Sequence, residues 1–417
     1  MIKRCKFFLL LTFSVAHANP AVFDPIFPHQ YFIGTYLDLP HQQPSGMLQK
    51  SASSNAISLY GWLNPIANIS SSKASNSPMG FSLIPNTVTF NQGAVVLEKQ
   101  ADTLSRHYDY GFNFTNLYGM DYRFTVMKGV FSEQYIKHNS AYGYDPVVVN
   151  GQLYIPQLGQ GSLLTIGRYF APGDIETPLA TQNYLVSHSL SFIFSSFTQM
   201  GVTLNTKIND VWSVLWGVHF GSENALWSRS GMPSALFFLQ WVAPNQKDSL
   251  WLGSNSLNSG QYHQYWNNIQ QVNMIWTHRF NDDFFIETSS YYEYQFNALN
   301  GGACSSGPTQ PFELTPTCQT QISGLSQSFS LLTYIEKKWT ERDFTSLRLE
   351  FFDDFEGQRT GYAAPYFEWT IGLTHVLGNV LKIRPEFRYD IAFKERPYDN
   401  GNNKSLVLGL LDFVVLL

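Results

Sequence analysis

Alternation of charged and apolar side chains at a period of two recurs along most of this sequence. In residues 382–391, Arg384, Glu386, Arg388 and Asp390 share one parity, and large apolar residues fill the positions between them. Successive side chains of a β-strand point to opposite faces of the sheet, so this run has one charged face and one apolar face. The fold must therefore accommodate both kinds of face on the same strand.

A second run with the same pattern covers residues 346–354, where Arg348, Glu350 and Asp354 lie on one parity. In a membrane these charges must face the inside of a closed sheet, because an Arg or Lys facing mid-bilayer lipid costs about 2–4 kcal/mol. A soluble β-sandwich is the alternative, since its charged faces would meet water. We predict that six residues of the two runs line a pore: Arg348, Glu350, Arg384, Glu386, Arg388 and Asp390.

The composition favours the membrane alternative. Aromatic residues make up 16% of the chain and charged residues only 14%, whereas soluble proteins carry roughly 25% charged residues. Tyr and Trp are favoured where one end of the ring is apolar and the other is wet, as at a membrane interface. The sequence contains no apolar run of about 20 residues, which argues against a helical membrane bundle. A net charge of −5 argues against nucleic-acid binding.

These observations predict an all-β fold, a transmembrane antiparallel β-barrel of about 16 strands, within a range of roughly 14 to 18. Short polar turns such as Asn209-Asp210 alternate with long connections such as residues 297–325, which is typical of barrels in the bacterial outer membrane. We assign the barrel to residues 56–417. The segment 170–199 is either a loop that folds into the lumen or two further strands.

The N-terminus has the layout of a secretory signal peptide over residues 1–18. Lys3, Arg4 and Lys6 precede a short apolar stretch, and Ala16-His17-Ala18 fits the small-x-small cleavage pattern. Residues 19–55 are interrupted by prolines and show no helical or strand period, so we treat them as an irregular N-terminal segment. Together with the barrel, the signal peptide predicts export to the cell outer membrane.

Two cysteines, Cys304 and Cys318, remain after signal removal and lie in a stretch rich in Gly, Ser, Pro and Thr. In an exported loop, two nearby cysteines indicate a disulfide bond. A metal site is the weaker interpretation because the stretch contains no His. We therefore predict the disulfide Cys304–Cys318 and no metal site.

The sequence lacks the common catalytic motifs. There is no G-x-S-x-G, H-E-x-x-H or C-x-x-C pattern in the sequence. His188 and Ser189 are adjacent, and in a strand adjacent side chains point to opposite faces, so they could not act as a pair. We expect no catalytic residue and no cofactor.

Several stretches in a fixed order resemble the OmpL-like β-barrel porins of Gram-negative bacteria. They include LYGWLNPIANIS from Leu59, YGFNFTNLYGMDYRFT from Tyr110, LTIGRYFAPGDIE from Leu164, FFDDFEGQRTGY from Phe351 and IRPEFRYD from Ile383. The resemblance runs from about residue 57 to the C-terminus. It implies an outer-membrane porin, a water-filled channel for passive diffusion of small hydrophilic solutes or ions.

An alternative function stays open at this point, namely a surface-exposed binding or adhesion protein whose barrel only anchors long extracellular loops. The expected partners are outer-membrane lipid and small hydrophilic solutes, with no nucleic acid. Association into a homo-oligomer is left open.

Overall fold

The computed structural model describes residues 57–103, 105–228, 231–260, 268–298, 321–378 and 380–417. Sixteen strands lie within this part of the chain. They are β1 (Ser58–Ser70), β2 (Val88–Lys99), β3 (Asp109–Gly119), β4 (Gly143–Ile155), β5 (Ser162–Phe170), β6 (Thr198–Lys207), β7 (Trp212–His219), β8 (Ser234–Val242), β9 (Asp248–Leu257), β10 (Gln270–Asn281), β11 (Phe284–Phe296), β12 (Leu325–Lys338), β13 (Asp343–Asp354), β14 (Ala364–Leu377), β15 (Leu381–Ala392) and β16 (Ser405–Leu416).

Each strand pairs antiparallel with its neighbours in the sequence, and β1 pairs with β16, so the sheet closes into a barrel. At the closure Ile66 lies opposite Asp412 and Ala67 opposite Leu411. Closure leaves no strand edge with unpaired backbone groups, which is the condition for a sheet to cross lipid. The predicted all-β antiparallel barrel of about 16 strands is confirmed.

The connections differ in length at the two ends of the barrel. At one end they are as short as residues 282–283, between β10 and β11, whereas at the other end they include residues 71–87, 120–142 and 171–197. In barrels of the outer membrane the short turns face the periplasm and the long loops face outward. We therefore call the two ends periplasmic and extracellular.

Side chains are distributed inside out relative to a soluble protein. Apolar residues on the outer face are exposed, for example Val95, Ile166, Trp216, Val272 and Leu373. The alternate positions point into the barrel and are polar or charged on most strands. Because lipid solvates apolar side chains and cannot solvate charges, this distribution suits a barrel surrounded by hydrocarbon.

Helical structure among the described residues is limited to short pieces. They are α1 (Tyr122–Thr125), α2 (Glu133–Ile136), α3 (Leu190–Phe194) and one 3₁₀ turn (Ala180–Gln182). No helix in the described ranges is long and apolar enough to cross a membrane.

The connection between β5 and β6, residues 171–197, is named here the third loop. It contains α3 and the 3₁₀ turn but no strand, and every residue except Gln182 is buried. A connection of this length would be largely exposed if it extended into solvent, so its burial shows that it packs against the rest of the chain. Of the two alternatives drawn from the sequence, the one with two further strands is wrong.

Three sequence-based predictions fall outside the described residues. They are the signal peptide at residues 1–18, the irregular segment at residues 19–55, and the disulfide between Cys304 and Cys318. Each of them stays a prediction.

Candidate functional site

The six side chains predicted to line a pore all point into the barrel, and each is more than nine-tenths buried. Their strands carry apolar residues such as Phe351 and Phe387 at the alternate, lipid-facing positions, so the charges have only the interior to face. The structure brings them together on one sector of the wall: Arg348 and Glu350 on β13, and Arg384, Glu386, Arg388 and Asp390 on β15.

Charges on this wall are arranged in rows that run across β13, β14 and β15. Glu350 lies opposite Glu368, and Glu368 lies opposite Asp390. Arg348 and Arg388 occupy the adjacent row, and the Nε of Arg348 is 3.0 Å from Oε2 of Glu368. Because rows of opposite sign lie side by side, each group has a neighbour that offsets the repulsion within its own row.

The third loop crosses the interior of the barrel. On one side, Nδ2 of Asn273 in β10 donates to the carbonyl of Gly173 at 3.0 Å. On the other, Nε2 of Gln92 in β2 donates to the carbonyl of Pro178 at 2.6 Å, and the N–H of Ala180 donates to Oε1 of Gln92 at 3.0 Å. In a ring of sixteen strands β2 and β10 are diametrically opposite, so the loop spans the lumen from wall to wall.

Inward side chains of β15 bind the backbone of the third loop in order. Lys382 Nζ donates to the carbonyl of Thr181 at 3.0 Å, and Arg384 Nη1 donates to that of Asn183 at 2.7 Å. One carboxylate oxygen of Glu386 accepts from the N–H of Val186 at 2.6 Å and from that of Ser187 at 3.0 Å. Arg388 donates to the next carbonyl, that of His188. Charged hydrogen bonds of this kind are stronger than neutral ones.

The wall residues of β13 bind the same loop a few residues further on. Glu350 accepts from the N–H of Leu190 at 2.7 Å and from the N–H of Ser191 at 2.5 Å. Arg348 donates to the carbonyl of Ser187 at 2.6 Å and lies 2.9 Å from Glu176 of the loop. Five of the six predicted residues thus contact the third loop directly.

Asp390 acts through its neighbour. Its two oxygens accept from Nε and Nη2 of Arg388 at 2.7 and 2.6 Å. This bidentate pair fixes the plane of the guanidinium, whose remaining nitrogen reaches the loop. Asp390 therefore supports a loop contact that it does not make itself.

Two ionisable groups of the loop have displaced pKa values. Burial by itself would raise the pKa of Glu176, but the Arg348 guanidinium and hydrogen bonds from Ser189 and Tyr334 outweigh it and hold this pKa below its ordinary value. Burial lowers the pKa of His188 to about 4, although nearby Glu176 favours the protonated form. At neutral pH the loop therefore carries an ionised carboxylate beside a neutral imidazole.

The sequence did not point to Gln92 and Asn273, which hold the third loop at opposite walls, or to three further charged residues of this site. Lys382 donates to the loop, Glu368 pairs with Arg348, and Asp412 accepts from Arg384 at 2.5 Å. None of these three was among the predicted pore residues. The signal that could have found them is parity, since Lys382 shares the parity of Arg384 and Asp412 falls on the inward parity of β16.

The histidine and serine considered for catalysis have structural partners. His188 and Ser189 lie in the third loop, so the argument from strand parity does not apply to them. The His188 ring contacts the carbonyl of Thr177 through Nε2 at 2.9 Å, whereas the Ser189 hydroxyl donates to Glu176. Both side chains serve the internal structure of the loop.

Solved structures with the same fold are barrels of the outer membrane. An anion-selective porin from Comamonas acidovorans matches with a TM-score of 0.56 and 9% identity, over 87% of this chain and 100% of its own. The outer membrane channel DcaP of Acinetobacter baumannii matches with a TM-score of 0.51 and 9% identity, over 88% of this chain and 99% of its own. OprB of Pseudomonas putida matches with a TM-score of 0.51 and 10% identity, over 87% of this chain and 94% of its own. At such identities these likenesses establish the fold alone.

The comparison of sequences is more specific. No curated protein matches this sequence. A family model described as "Putative beta-barrel porin-2, OmpL-like" matches residues 56–417, which is the whole barrel and most of the chain. The resemblance noted in the sequence is thereby confirmed, and the chain belongs to this family of outer-membrane β-barrel porins.

Proposed function

We propose that the protein forms a water-filled channel for passive diffusion of small hydrophilic solutes or ions, and that the third loop sets its narrowest part. The observation that carries the proposal is the path of the loop between opposite walls, from Asn273 on β10 to Gln92 on β2. A barrel of sixteen strands is wide enough to leave an aqueous passage. A segment fixed across it reduces the passage without closing the barrel itself.

The six charged residues belong to the wall of this channel, and we assign them the task of holding the third loop. Five of them contact loop carbonyls or N–H groups, and Asp390 orients Arg388, which supports this assignment. Each of them is deeply buried and has a partner of opposite charge or a backbone partner, so its direct effect on a passing ion is screened by the loop. They shape the pore more than they select for charge.

The alternative is a protein whose barrel only anchors surface loops for binding or adhesion. The third loop is buried inside the barrel, which suits a channel better than a surface binder. The two proposals differ in one measurable property, since an anchor has no need of steady conductance. The fold and family are those of a channel, and we propose no enzymatic activity.

The partners we propose follow from the two surfaces of the barrel. Outer-membrane lipid contacts the apolar outer face, and small hydrophilic solutes pass the polar interior. A homo-oligomer is a further proposal, which cross-linking of the protein in native membranes would test. Recovery of monomers alone would contradict it.

Two proposals concern maturation. We propose that residues 1–18 are removed on export, so that the mature N-terminus is Asn19, which N-terminal sequencing of outer-membrane protein would establish. We also propose that Cys304 and Cys318 form a disulfide. Labelling of free thiols at both positions in protein taken from the membrane would contradict it.

The channel is tested by planar-bilayer recording of refolded protein under a salt gradient. Steady single-channel conductance supports the proposal, and deletion of residues 172–182 should raise it because the loop then no longer reaches β2. Heat-modifiable migration on a gel shows that each barrel is folded. A folded, inserted barrel without conductance would reject the channel and favour the anchor.

A further inference from the structure

A second extracellular connection also packs inside the barrel. It is the first loop, residues 71–87, which joins β1 and β2. Its apolar side chains Met79, Phe81 and Leu83 are buried in one cluster with residues of α3 and with inward residues of β16 such as Leu408. The third loop is therefore covered by a second inserted segment.

Phe81 lies in a group of packed aromatic rings that joins three separate connections. Its ring centroid is 4.0 Å from that of Phe124 in α1 and 3.8 Å from that of His188 in the third loop. His188 also stacks on Phe192 of α3 at 4.8 Å, and the Phe192 centroid lies 6.1 Å from that of Phe81. The Phe81 ring thus occupies the space between the β3–β4 connection and the third loop.

The backbone at Phe81 is strained. Its φ is +62°, in the left-handed region that bulky residues rarely adopt. The preceding residue is Gly80, where an added Cβ would lie 2.6 Å from the Phe124 ring and 3.2 Å from Ile193. Strain of this kind persists only where surrounding contacts maintain it, and it concentrates at functional positions.

Hydrogen bonds hold the strained segment in place. Nδ2 of Asn91 in β2 donates to the carbonyl of Phe81 at 2.6 Å, and Nδ2 of Asn76 donates to that of Ser82 at 2.6 Å. At the base of the loop, one oxygen of Asp399 accepts from the N–H of Lys73 at 2.9 Å and from that of Ala74 at 2.6 Å. The first loop is therefore fixed at its tip and at its base.

The ring that Phe81 contacts belongs to the part of the third loop gripped by the charged wall. The His188 carbonyl accepts from Arg388, and the preceding Ser187 binds Glu386. The wall holds the backbone at this point, while Phe81 and Phe192 both contact the His188 ring. Moving Phe81 would free one face of His188 and leave the wall contacts intact.

We propose that the first loop is a second constriction element and that Phe81 is the positioning residue through which it fixes the third loop. The ring acts as a wedge that keeps the third loop in its lumen-crossing path. The inference rests on the proposed channel function and adds to it a determinant of pore size from a different loop.

Single-channel recording of Phe81→Ala and Phe81→Gly tests the wedge, with Phe81→Tyr as the variant that keeps the ring. The glycine variant also relieves the backbone strain, so it can fold where the alanine variant does not. Phe131→Ala is the matched control because Phe131 is a second phenylalanine with positive φ in an extracellular connection, exposed and in edge contact with Tyr144. Thermal unfolding of each barrel is measured in parallel.

We expect Phe81→Ala and Phe81→Gly to raise the time spent in a higher-conductance state by about tenfold, since the two ring contacts with His188 and Phe192 of the third loop are lost. Phe81→Tyr and Phe131→Ala should match the wild type. Wild-type conductance in both Phe81→Ala and Phe81→Gly, even with a lower melting temperature, would overturn the proposed role of Phe81. A change of conductance in Phe81→Tyr or Phe131→Ala equal to that in Phe81→Ala would overturn it as well. Absence of conductance in the wild type would instead reject the channel itself.

Discussion

Replacement of Glu350 by glutamine changes the grip on the third loop while keeping the shape of the side chain. The carboxylate accepts from two backbone N–H groups, of Leu190 and Ser191, and from the Ser191 hydroxyl. In glutamine an NH₂ group replaces one of the two carboxylate oxygens, so a donor faces the N–H or O–H donors of the loop at that position. Hydrogen bonds to charged groups contribute about 1.5–3 kcal/mol each, so we expect Glu350→Gln to weaken docking of the loop by about 3 kcal/mol.

A loss of this size shifts the ratio of docked to undocked loop by about 100-fold. The barrel strands are held by their own ladders, so heat-modifiable migration should persist. Single-channel recording should show frequent steps to a higher conductance that are rare in the wild type. Glu341→Gln is the matched control, because Glu341 lies in the turn between β12 and β13, is exposed and pairs only with Lys338 among the contacts described.

A folded Glu350→Gln barrel whose conductance and noise equal those of the wild type would contradict this expectation. The Glu350 contacts would then have no part in fixing the loop. Equal disturbance in Glu341→Gln would refute it as well, because the effect would follow from removing any carboxylate.

Three further predictions concern other contacts of the two inserted loops. Because the pKa of His188 is lowered to about 4, its protonation should weaken docking as pH falls from about 6.5 to 4, by up to about 3 kcal/mol. Glu223 of the β7–β8 connection accepts from the N–H of Phe197 in the third loop at 2.7 Å; burial raises its pKa to about 7, which gives the opposite pH dependence in that range. The test is therefore the difference in pH-dependent channel noise between wild type and His188→Phe, and equal profiles would contradict the prediction. Arg384→Glu removes the charged partner of the buried Asp412 and places a second carboxylate beside it, a change that typically costs about 3–5 kcal/mol; the melting temperature should fall, and an unchanged melting temperature would contradict the assignment. Asp399→Asn should loosen the base of the first loop, seen as faster trypsin cleavage after Lys73, and an unchanged cleavage rate would rule this out.

The strands and the direction of their side chains could be read from the sequence. The period of two in residues 382–391 is a local property, because each residue of a strand points opposite to its neighbour whatever the strand pairs with. The cost of a charge in lipid then assigned the charged parity of β13 and β15 to the interior. Six site residues and the barrel itself followed from these two arguments and from the resemblance to a porin family.

The third loop was harder to interpret because its burial has no periodic signal. Residues 170–199 were compatible with a lumen loop or with two strands, since apolar and Ser-rich stretches occur in both. The first loop gave no indication that it enters the barrel, and Phe81 is not distinguished by any motif.

The tertiary structure alone decided what the interior charges bind. Arg388 reaches the carbonyl of a residue 200 positions earlier, and Glu350 accepts N–H groups about 160 positions away. Carbonyl and N–H groups are the same in every residue, so a loop held through its backbone leaves no pattern of partner side chains in the sequence. The sequence by itself therefore determined that charges occupy the interior, and only the closed barrel, with a loop laid across it, determined that they act as a clamp on that loop.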